Sequence, residues 1–386
     1  MVSTPGGRLT RACYRLNYSN RNVFVMSTTD IRVQVGPANY FSFPGAIDKL
    51  SEFYPDEVLA RAFWISGERA LAAAHPYLPS AFSAPTARSA GFSAHCSESE
   101  IARLTTAAGD DRTVVIGVGG GAVLDTAKVV ARRLGLPLVA IPTIAATCAA
   151  WTPLSVWYNE AGQALRFEIF NDANHLVLVE PRILLAAPVE YLLAGIGDTL
   201  AKWYEAVVLS PRPETLSLTV RLGLQTAQDI RDLLLRQSES ALKAASTATL
   251  NQDFLDVVDA IIAGGGMVGG LGERYTRVAA AHAVHNGLTV LPQTEPFLHG
   301  TKVAYGILVQ CALLDQTDTL RQLKAAFRVF GLPVSLAELG VDITDDTALQ
   351  AVIARTLQAG ESIHYLPGVL DADRLLAAFQ SVERTV

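Results

Sequence analysis

Three of the seven histidines in this 386-residue chain lie in one stretch, AAHAVHNGLTVLPQTEPFLHGTK, residues 280–302. His282 and His285 are three residues apart in an alanine-rich segment, so a helix there would place both imidazoles on one face. Gly287 and Pro292 predict the end of that helix, and His299 follows after a loop, ahead of a second helical run. Imidazoles that converge from separate elements are typical ligands of a divalent metal.

Asp198 supplies the candidate carboxylate ligand, in the stretch AGIGDTLAKW. The segment is otherwise apolar with helical periodicity, and a buried acid is rare unless it is paired or bound to a metal. The alternative is a pair of core histidines with satisfied hydrogen bonds and an aspartate that caps a helix. Spacing alone leaves both interpretations open.

A glycine-rich loop follows the strand-like run Val114 to Ile116 in TVVIGVGGGAVLDTAKV. Gly119, Gly120 and Gly121 would let the backbone approach a pyrophosphate closely. The helix that opens with Asp125 would offer unpaired N–H groups to the same anion. The run matches the G-x-G-x-x-G dinucleotide fingerprint only in part, so a phosphate cradle and a plain strand-to-helix turn both stay open.

Composition excludes several classes of partner. The net charge is −6 with a pI near 5.7, so no overall basic field favours nucleic acid. No apolar run is predicted to reach the length of a membrane span. The cysteines lack the spacing of metal ligands, which predicts free thiols in a reducing cytoplasm. They are Cys13, Cys96, Cys148 and Cys311.

The chain divides into three parts by pattern. Residues 1–25 are polar and basic without the apolar core of a secretory signal, and are predicted to be a disordered extension, either upstream of a natural start at Met26 or a flexible arm. Residues 26–183 alternate strand-like runs (IRVQVG, RAFWIS, TVVIGV, PLVAIP, HLVLVEP) with helical segments, which predicts an α/β domain with a parallel sheet. Residues 184–386 show helical periodicity nearly throughout. Within them, the glycine run AGGGMVGGLG at residues 263–272 follows no strand and predicts close helix packing or a kink.

Together, the glycine loop, GIGDTLAKWYEA and HAVHNGL with FLHGTKVAYG resemble the iron-containing alcohol dehydrogenase superfamily, in its glycerol dehydrogenase-like branch. The resemblance runs from about Ile31 to the end of the chain and keeps the order of the motifs. It implies a dehydroquinate synthase-like fold, in which a Rossmann-like α/β domain and an all-α domain enclose a cleft, and it implies a homo-oligomer. It also implies one divalent metal held by Asp198, His282 and His299. His285 would lie beside them as a neighbour of the ligands or a proton relay. Zinc is the first choice of metal, and nickel, iron or manganese suit the same donors.

The resemblance implies reduction of 2-oxo acids, such as 2-oxoglutarate and 2-oxobutyrate, to 2-hydroxy acids with NADPH. Three protein ligands leave a coordination position open, which is typical of a catalytic metal that polarises a carbonyl. An NAD-dependent glycerol or polyol dehydrogenase is the first alternative. A lyase like 3-dehydroquinate synthase and a non-enzymatic metal-binding relative are further alternatives on the same scaffold.

Two positions depart from the family pattern and bear on the substrate. Lys202 stands one helical turn after Asp198, where many relatives have a histidine, and is predicted to bind a substrate carboxylate. The alternative is a surface lysine paired with Asp198 or Glu205. Cys148 stands where glycerol dehydrogenases place an aspartate that holds polyol hydroxyls, and loss of that charge suits an anionic substrate. The remaining candidate anchors for the carboxylate are Arg277 and, as runner-up, Arg274.

The same resemblance implies which residues contact the cofactor. An acid at the end of the second strand would bind the ribose hydroxyls of NAD, whereas Ser66 and Gly67 leave room for a 2′-phosphate, with Arg69 as a further partner. NADP(H) is therefore favoured over NAD(H), although the adjacent Glu68 weakens that argument. The other residues expected beside the nicotinamide or along the cofactor wall are Thr143, Ala146, Thr152, Leu154 and Tyr158.

Overall fold

The computed structural model of the protein describes residues 31–84, 86–93 and 95–385. The predicted extension, residues 1–25, and the candidate start at Met26 lie outside the described residues. The described strands are β1 (Asn39–Ser42), β2 (Phe63–Ser66), β3 (Arg88–Gly91), β4 (Val115–Gly119), β5 (Leu138–Pro142), β6 (Leu154–Tyr158), β7 (Ala164–Ile169) and β8 (Leu176–Val179).

Six of these strands form a parallel sheet in the order β1-β8-β5-β4-β2-β3. Strands β4 and β5 are buried along their whole length, as expected for a parallel sheet that is covered on both faces. Strands β6 and β7 pair antiparallel as a separate hairpin. Four of the predicted strands, now β2, β4, β5 and β8, lie in this parallel sheet as expected, whereas the sequence did not predict β1, β3 or the hairpin.

The prediction of a first strand in IRVQVG is wrong, because β1 begins only at Asn39. The N–H of Gln34 donates to the carbonyl of Gly270 at 3.0 Å, far along the chain. The side-chain amide of Gln34 donates to the carbonyl of Phe170, and the indole of Trp151 donates to the carbonyl of Val35. The hydrogen bonds of this segment therefore go to a helix and to loops, and the segment joins no sheet.

The helices of the N-terminal half are α1 (Leu50–Phe53), α2 (Asp56–Leu59), α3 (Glu68–Ala74), α4 (Glu98–Ala108) and α5 (Gly121–Leu134). After β8 the described residues form helices and loops only. These helices are α6 (Pro181–Leu185), α7 (Val189–Leu209), α8 (Leu218–Ser246), α9 (Gln252–Asp259), α10 (Gly265–Gly272), α11 (Ala280–Leu288), α12 (His299–Leu313), α13 (Thr317–Phe330), α14 (Asp346–Thr356) and α15 (Ala372–Arg384). The proposed domain boundary after residue 183 falls within α6.

The second glycine run is helical and closely packed, as predicted. One turn of π-helix, Ala260–Gly264, joins α9 to α10. A Cβ at Gly266 would lie 2.2 Å from the ring of Trp151, and a Cβ at Gly270 would lie 2.1 Å from the carbonyl oxygen of Gln34. These glycines let α10 contact the residue 31–37 segment and the loop after β5 directly.

The same run bears on the prediction that no apolar stretch reaches the length of a membrane span. The helical stretch Gln252–Thr276 is the one part of the described chain that is long and apolar enough to cross a membrane by length and composition. Its glycines interrupt an apolar run in the sequence but are helical in the structure. Of its most apolar window, 56% is buried inside the protein, and core helices pass the same test.

The helix that carries His282 ends where Gly287 and Pro292 predict, because α11 ends at Leu288. Gly287 also has a packing role, since a Cβ there would lie 2.0 Å from the hydroxyl of Thr356 in α14. The glycine therefore also marks the close approach of two helices.

Replacement of Gly270 by alanine tests the close packing of α10. We expect Gly270→Ala to lower the free energy of unfolding by about 1–3 kcal/mol, because the new Cβ meets a backbone carbonyl. Gly269→Ala is the matched control, since a Cβ there meets nothing within 4 Å. It should stabilise the helix by up to about 1 kcal/mol. Urea unfolding measures both, and equal stabilities would contradict the packing.

Candidate metal and cofactor site

Three helices converge at the candidate metal site because glycine lets two of them approach closely. Asp198 lies in α7, His282 lies in α11, and His299 is the first residue of α12. A Cβ at Gly300 would lie 1.8 Å from the carbonyl oxygen of Ala194 in α7. Only glycine permits this approach, so the start of α12 lies directly against the turn of α7 that carries Asp198.

The ligand atoms of Asp198, His282 and His299 all lie within 4.8 Å of one another. Oδ1 of Asp198 is 3.4 Å from Nε2 of His282 and 3.3 Å from Nε2 of His299. That oxygen is buried and makes no hydrogen bond with the described residues, which is costly unless another group binds it. The three donors therefore fit a divalent cation of the kind that carboxylate and imidazole ligands bind.

The site is open on one side. The side chain of His299 is 45% exposed, whereas those of Asp198 and His282 are largely buried. Burial disfavours the charged carboxylate, but Lys202 and the two imidazoles outweigh it and hold the pKa of Asp198 well below its ordinary value. Burial also opposes charge on His282, yet Glu205 and Asp198 raise the pKa of His282 to about 9. A cation bound here would therefore displace a proton from His282.

Glu205 orients His282, a role that the sequence pattern did not assign to it. Its Oε2 lies 2.7 Å from Nδ1 of His282, and its Oε1 accepts the backbone N–H groups of Ala279 and His282. The carboxylate is fully buried. A proton held on Nδ1 leaves the lone pair of Nε2 free on the side of Asp198. The available signal is spacing, since Glu205 follows Asp198 by two helical turns on one face of α7.

His285 touches the ligand set through His299. Its Nε2 lies 3.0 Å from Nδ1 of His299, and its Nδ1 lies 3.0 Å from Oδ1 of Asn286, which in turn donates to Glu361. Burial, followed by the charges of the neighbouring histidines, lowers the pKa of His285 well below its ordinary value. Because both ring nitrogens are engaged, His285 fixes the orientation of His299.

Lys202 lies one helical turn after Asp198, beside this set. Among the described residues, none forms a hydrogen bond or an ion pair with it, so the alternative of a lysine paired with Asp198 or Glu205 is not found. Burial opposes its charge, but Asp198 leads the groups that outweigh burial and raise the pKa of Lys202. Cys148 and Arg277 both lie close enough to act on that charge.

The other residues predicted to contact the substrate, Cys148, Arg277 and Arg274, differ in their burial and in their neighbours. Cys148 is a half-buried free thiol, and burial raises its pKa. The guanidinium of Arg277 lies 5.9 Å from the ring centroid of Phe167 in β7. Arg274 forms an ion pair with Glu273 at 2.8 Å. Of the two arginines, Arg277 is the one whose charge acts on Lys202.

The predicted phosphate loop lies at the carboxyl end of β4. Gly119 ends the strand, Gly120 precedes α5, and Gly121 is its first residue. A Cβ at Gly119 would lie 2.6 Å from Val123, and a Cβ at Gly120 would lie 2.7 Å from Ile144. The loop is tight, and the first N–H groups of α5 lie beside it, an arrangement that suits a phosphate.

The remaining predicted cofactor residues fall into two groups. Thr143 directly follows β5, and its N–H donates to the carbonyl of Gly119 at 3.1 Å, beside the phosphate loop. Ser66 ends β2 opposite Val118 of β4, and Gly67 follows it. The others lie between β5 and the end of β6, and they are Ala146, Thr152, Leu154 and Tyr158.

Asp125, also predicted to bind the cofactor, has its carboxylate bonded to protein groups. Its Oδ1 lies 2.7 Å from Nζ of Lys128, and its Oδ2 accepts the N–H of Val156 in β6 at 3.0 Å. Lys128 also donates to the carbonyls of Ala149 and Thr152. This buried pair fastens the hairpin to α5 and so holds the predicted cofactor wall in place.

The sequence and the fold both match known dehydrogenases. The family model described as iron-containing alcohol dehydrogenase matches residues 37–181. Hydroxycarboxylate dehydrogenase A of Escherichia coli (strain K12) is 68% identical over 358 residues, which cover 93% of this chain and 99% of that protein. A glycerol dehydrogenase of Thermotoga maritima is 33% identical, with 92% of this chain and 97% of that protein covered.

Among solved structures, the glycerol dehydrogenase of Schizosaccharomyces pombe has a TM-score of 0.80 at 28% identity, over 92% of this chain and 90% of that one. A probable glycerol dehydrogenase from Sinorhizobium meliloti 1021 has a TM-score of 0.78 at 27% identity, over 92% and 98%. The predicted fold, a Rossmann-like parallel sheet followed by an all-α region, is confirmed.

Removal of His299 tests the ligand set. We expect His299→Ala to weaken metal binding by more than roughly 100-fold, because a ligand is lost. His285→Ala should weaken it by roughly 10- to 100-fold, because only an orienting contact is lost. Elemental analysis after dialysis against a competing chelator measures both. Wild-type metal content in His299→Ala would contradict the assignment.

Replacement of Glu205 tests the orienting contact. An amide at this position cannot accept both the imidazole N–H and the two backbone N–H groups, so we expect Glu205→Gln to weaken metal binding by roughly 10- to 100-fold. Glu190→Gln, on an exposed residue of the same helix, is the control. Unchanged metal affinity in Glu205→Gln, measured by chelator competition, would show that Glu205 has no part in the site.

Proposed function

The chain belongs to the iron-containing alcohol dehydrogenase family, and we propose that within this family it reduces 2-oxo acids to 2-hydroxy acids with NADPH. It is an oxidoreductase that acts on CH–OH groups, like its relatives. The observation that carries the choice of substrate is Lys202, a cation one helical turn from Asp198 that makes no hydrogen bond or ion pair with the described residues. The name of the relative at 68% identity, a hydroxycarboxylate dehydrogenase, supports the same choice.

The charges around the proposed substrate position favour an anion. Lys202 and Arg277 are both cationic and close enough to interact. The nearby Cys148 carries no charge, since burial raises the pKa of its thiol. An aspartate at that position would repel a carboxylate, whereas a neutral thiol adds no negative charge beside Lys202. We therefore assign the substrate carboxylate to Lys202, with Arg277 as a second contact.

We assign a separate role in the reaction to each group of residues at the site. A divalent cation held by Asp198, His282 and His299, with zinc first among the candidates, would supply Lewis-acid polarisation of the substrate carbonyl. Lys202 orients the substrate through its carboxylate. His285 has both ring nitrogens engaged, so we assign it the orientation of His299 and not a proton transfer. The proton on the product hydroxyl then comes from water.

The cofactor is assigned from the ends of β2 and β4. The glycine loop suits a pyrophosphate, and Thr143 beside it borders the proposed nicotinamide position. Gly67 stands where an acid would otherwise bind a ribose diol, and a Cβ there meets no atom nearer than 3.9 Å. The backbone therefore does not require glycine, and its absence of charge suits the extra phosphate of NADPH. The homo-oligomer and the cytoplasmic location stay predictions.

An NAD-dependent glycerol or polyol dehydrogenase is the second candidate. It is favoured by the names of relatives at 33% and 28% identity. Two residues oppose it. Cys148 replaces the aspartate that would bind polyol hydroxyls, and Lys202 adds a positive charge that would bind a carboxylate. The dehydroquinate synthase-like lyase has no such support among these relatives.

A spectrophotometric panel on metal-loaded protein separates these candidates. It pairs NADPH with 2-oxoglutarate and 2-oxobutyrate, and NAD with glycerol. NADPH oxidation by the oxo acids, with no NAD reduction by glycerol, supports the proposal. NAD reduction by glycerol without turnover of the oxo acids would contradict it and establish the polyol dehydrogenase.

Replacement of Lys202 tests how the substrate is held. We expect Lys202→Ala to raise the KM for 2-oxo acids by roughly 10- to 100-fold, because a charge-assisted hydrogen bond is lost. The KM for an uncharged aldehyde should change little, and Lys202→Arg should restore part of the affinity for the acid. Steady-state kinetics with both substrates measures this. Equal effects on acid and aldehyde would remove Lys202 from the carboxylate site.

A further inference from the structure

A chain of three hydrogen bonds links His299 to an ion pair outside the metal site. Nδ1 of His299 lies 3.0 Å from Nε2 of His285, and Nδ1 of His285 lies 3.0 Å from Oδ1 of Asn286. The amide nitrogen of Asn286 donates to Oε2 of Glu361 at 2.9 Å, and Arg355 donates to the other oxygen of that carboxylate. A metal ligand and a distant carboxylate are therefore the two ends of one chain.

Glu361 is held against α11 by the residues on both sides of it. Before it, α14 ends at Thr356, and Gly287 lets this end of α14 lie directly on α11. After it, the hydroxyl of Ser362 donates to the carbonyl of Ala279 at 2.5 Å, just ahead of α11. The side chain of Glu361 is only 13% exposed. The carboxylate is therefore a fixed end of the chain.

The direction of the protons along this chain follows from Glu361. A carboxylate paired with arginine only accepts hydrogen bonds, so the amide nitrogen of Asn286 faces it and the amide oxygen faces His285. That oxygen also only accepts, so Nδ1 of His285 carries a proton. The Nε2 of a neutral imidazole is then an acceptor, and it receives the N–H of His299 at Nδ1. The lone pair of His299 is left on Nε2, 3.3 Å from Oδ1 of Asp198.

We infer that Glu361 is a positioning residue for the metal site: through Asn286 and His285 it keeps the proton of His299 on Nδ1 and presents Nε2 to the cation. Without Glu361, the amide of Asn286 could turn either way, and either tautomer of His285 would satisfy it. The inference rests on the proposed metal ligands and does not depend on which substrate is reduced.

The other imidazole ligand has the same arrangement in a direct form. Oε2 of Glu205 lies 2.7 Å from Nδ1 of His282, so the lone pair of that ring is also on Nε2. Each imidazole ligand therefore has a carboxylate that sets its tautomer. Glu205 acts by contact from α7, and Glu361 acts through two intervening side chains from the segment after α14.

Glu361→Gln tests the direction of the chain, because it replaces the carboxylate by an amide of nearly the same shape. Arg355 only donates, so it retains the oxygen of the new amide, and the amide nitrogen faces Asn286. Asn286 must then turn over, which moves the proton of His285 to Nε2, against the N–H of His299. We expect the affinity for zinc to fall roughly 10- to 100-fold, as measured by chelator competition on the full-length protein.

A second substitution should reverse this loss. Asn286→Asp supplies a group that accepts from both neighbours, so the double variant Glu361→Gln, Asn286→Asp should regain most of the zinc affinity. A merely structural role would not predict this rescue, because the second substitution alters a further native contact. Asp318→Asn is the control, since it removes an exposed ion pair with Arg321 on α13, and it should leave the zinc affinity unchanged.

Nitrogen-15 NMR of full-length protein labelled at histidine reads the tautomer itself, with and without zinc. Signals are assigned by their loss in His285→Ala and His299→Ala. The wild type should carry the proton of His285 on Nδ1, and Glu361→Gln should move it to Nε2.

Three results would each overturn the inference: a proton on Nε2 of His285 in the wild type, unchanged zinc affinity in Glu361→Gln, or no rescue in the double variant. If Glu361→Gln does not fold in a thermal melt, the wild-type spectrum decides. A wild type that binds no zinc would remove the proposed metal site, whereas zinc binding that does not respond to Glu361 would remove only this inference. Turnover of glycerol in place of 2-oxo acids would remove the proposed substrate and leave the role of Glu361 standing.

Discussion

The buried, unbonded carboxylate oxygen of Asp198 is the constraint on which the rest of the site depends. A buried anion destabilises a fold unless a positive group compensates for it. The described part of the protein brings imidazole nitrogens to 3.3 and 3.4 Å from this oxygen without a hydrogen bond to it. Two features produce the arrangement: Gly300, which lets α12 lie against α7, and Glu205, which fixes the ring of His282. The donors converge on a position that suits a divalent cation.

One apolar cluster connects this centre to the part of the sheet that carries the glycine loop. It runs from Ile116 in β4 and Val139 in β5 to Ile196 in α7 and Ile307 in α12. The loop after β5 is held on both sides, by Lys128 from α5 and by Trp151 against the glycines of α10. The phosphate loop and the metal ligands are therefore parts of one packed body. Hydride transfer requires that the nicotinamide and the substrate carbonyl be held at near contact, which a rigid connection of this kind favours.

The sequence predicts those strands, helices and loops that depend on local pattern. It does not predict features that depend on contacts between residues far apart in the chain. The β-branched run at β4 and the glycines after it identify the strand and the loop, because buried parallel strands and phosphate loops leave local signatures. IRVQVG has the alternation of a strand, yet its partners are Gly270 and Phe170, which no local pattern reveals. Glu205 lies on the same face of α7 as Asp198, but spacing does not say which side chain of α11 it meets. The sequence does not predict β3, because RSAG is short, polar and largely exposed.

The most direct test of the account is crystallographic location of the metal in protein reconstituted with zinc, by anomalous diffraction at the zinc absorption edge. The account predicts one strong anomalous peak, bonded to the carboxylate of Asp198 and to Nε2 of both His282 and His299, with Nδ1 of His282 still hydrogen-bonded to Glu205. A peak at other residues, or bonding through Nδ1 of His282, would contradict the arrangement from which the proposed chemistry follows.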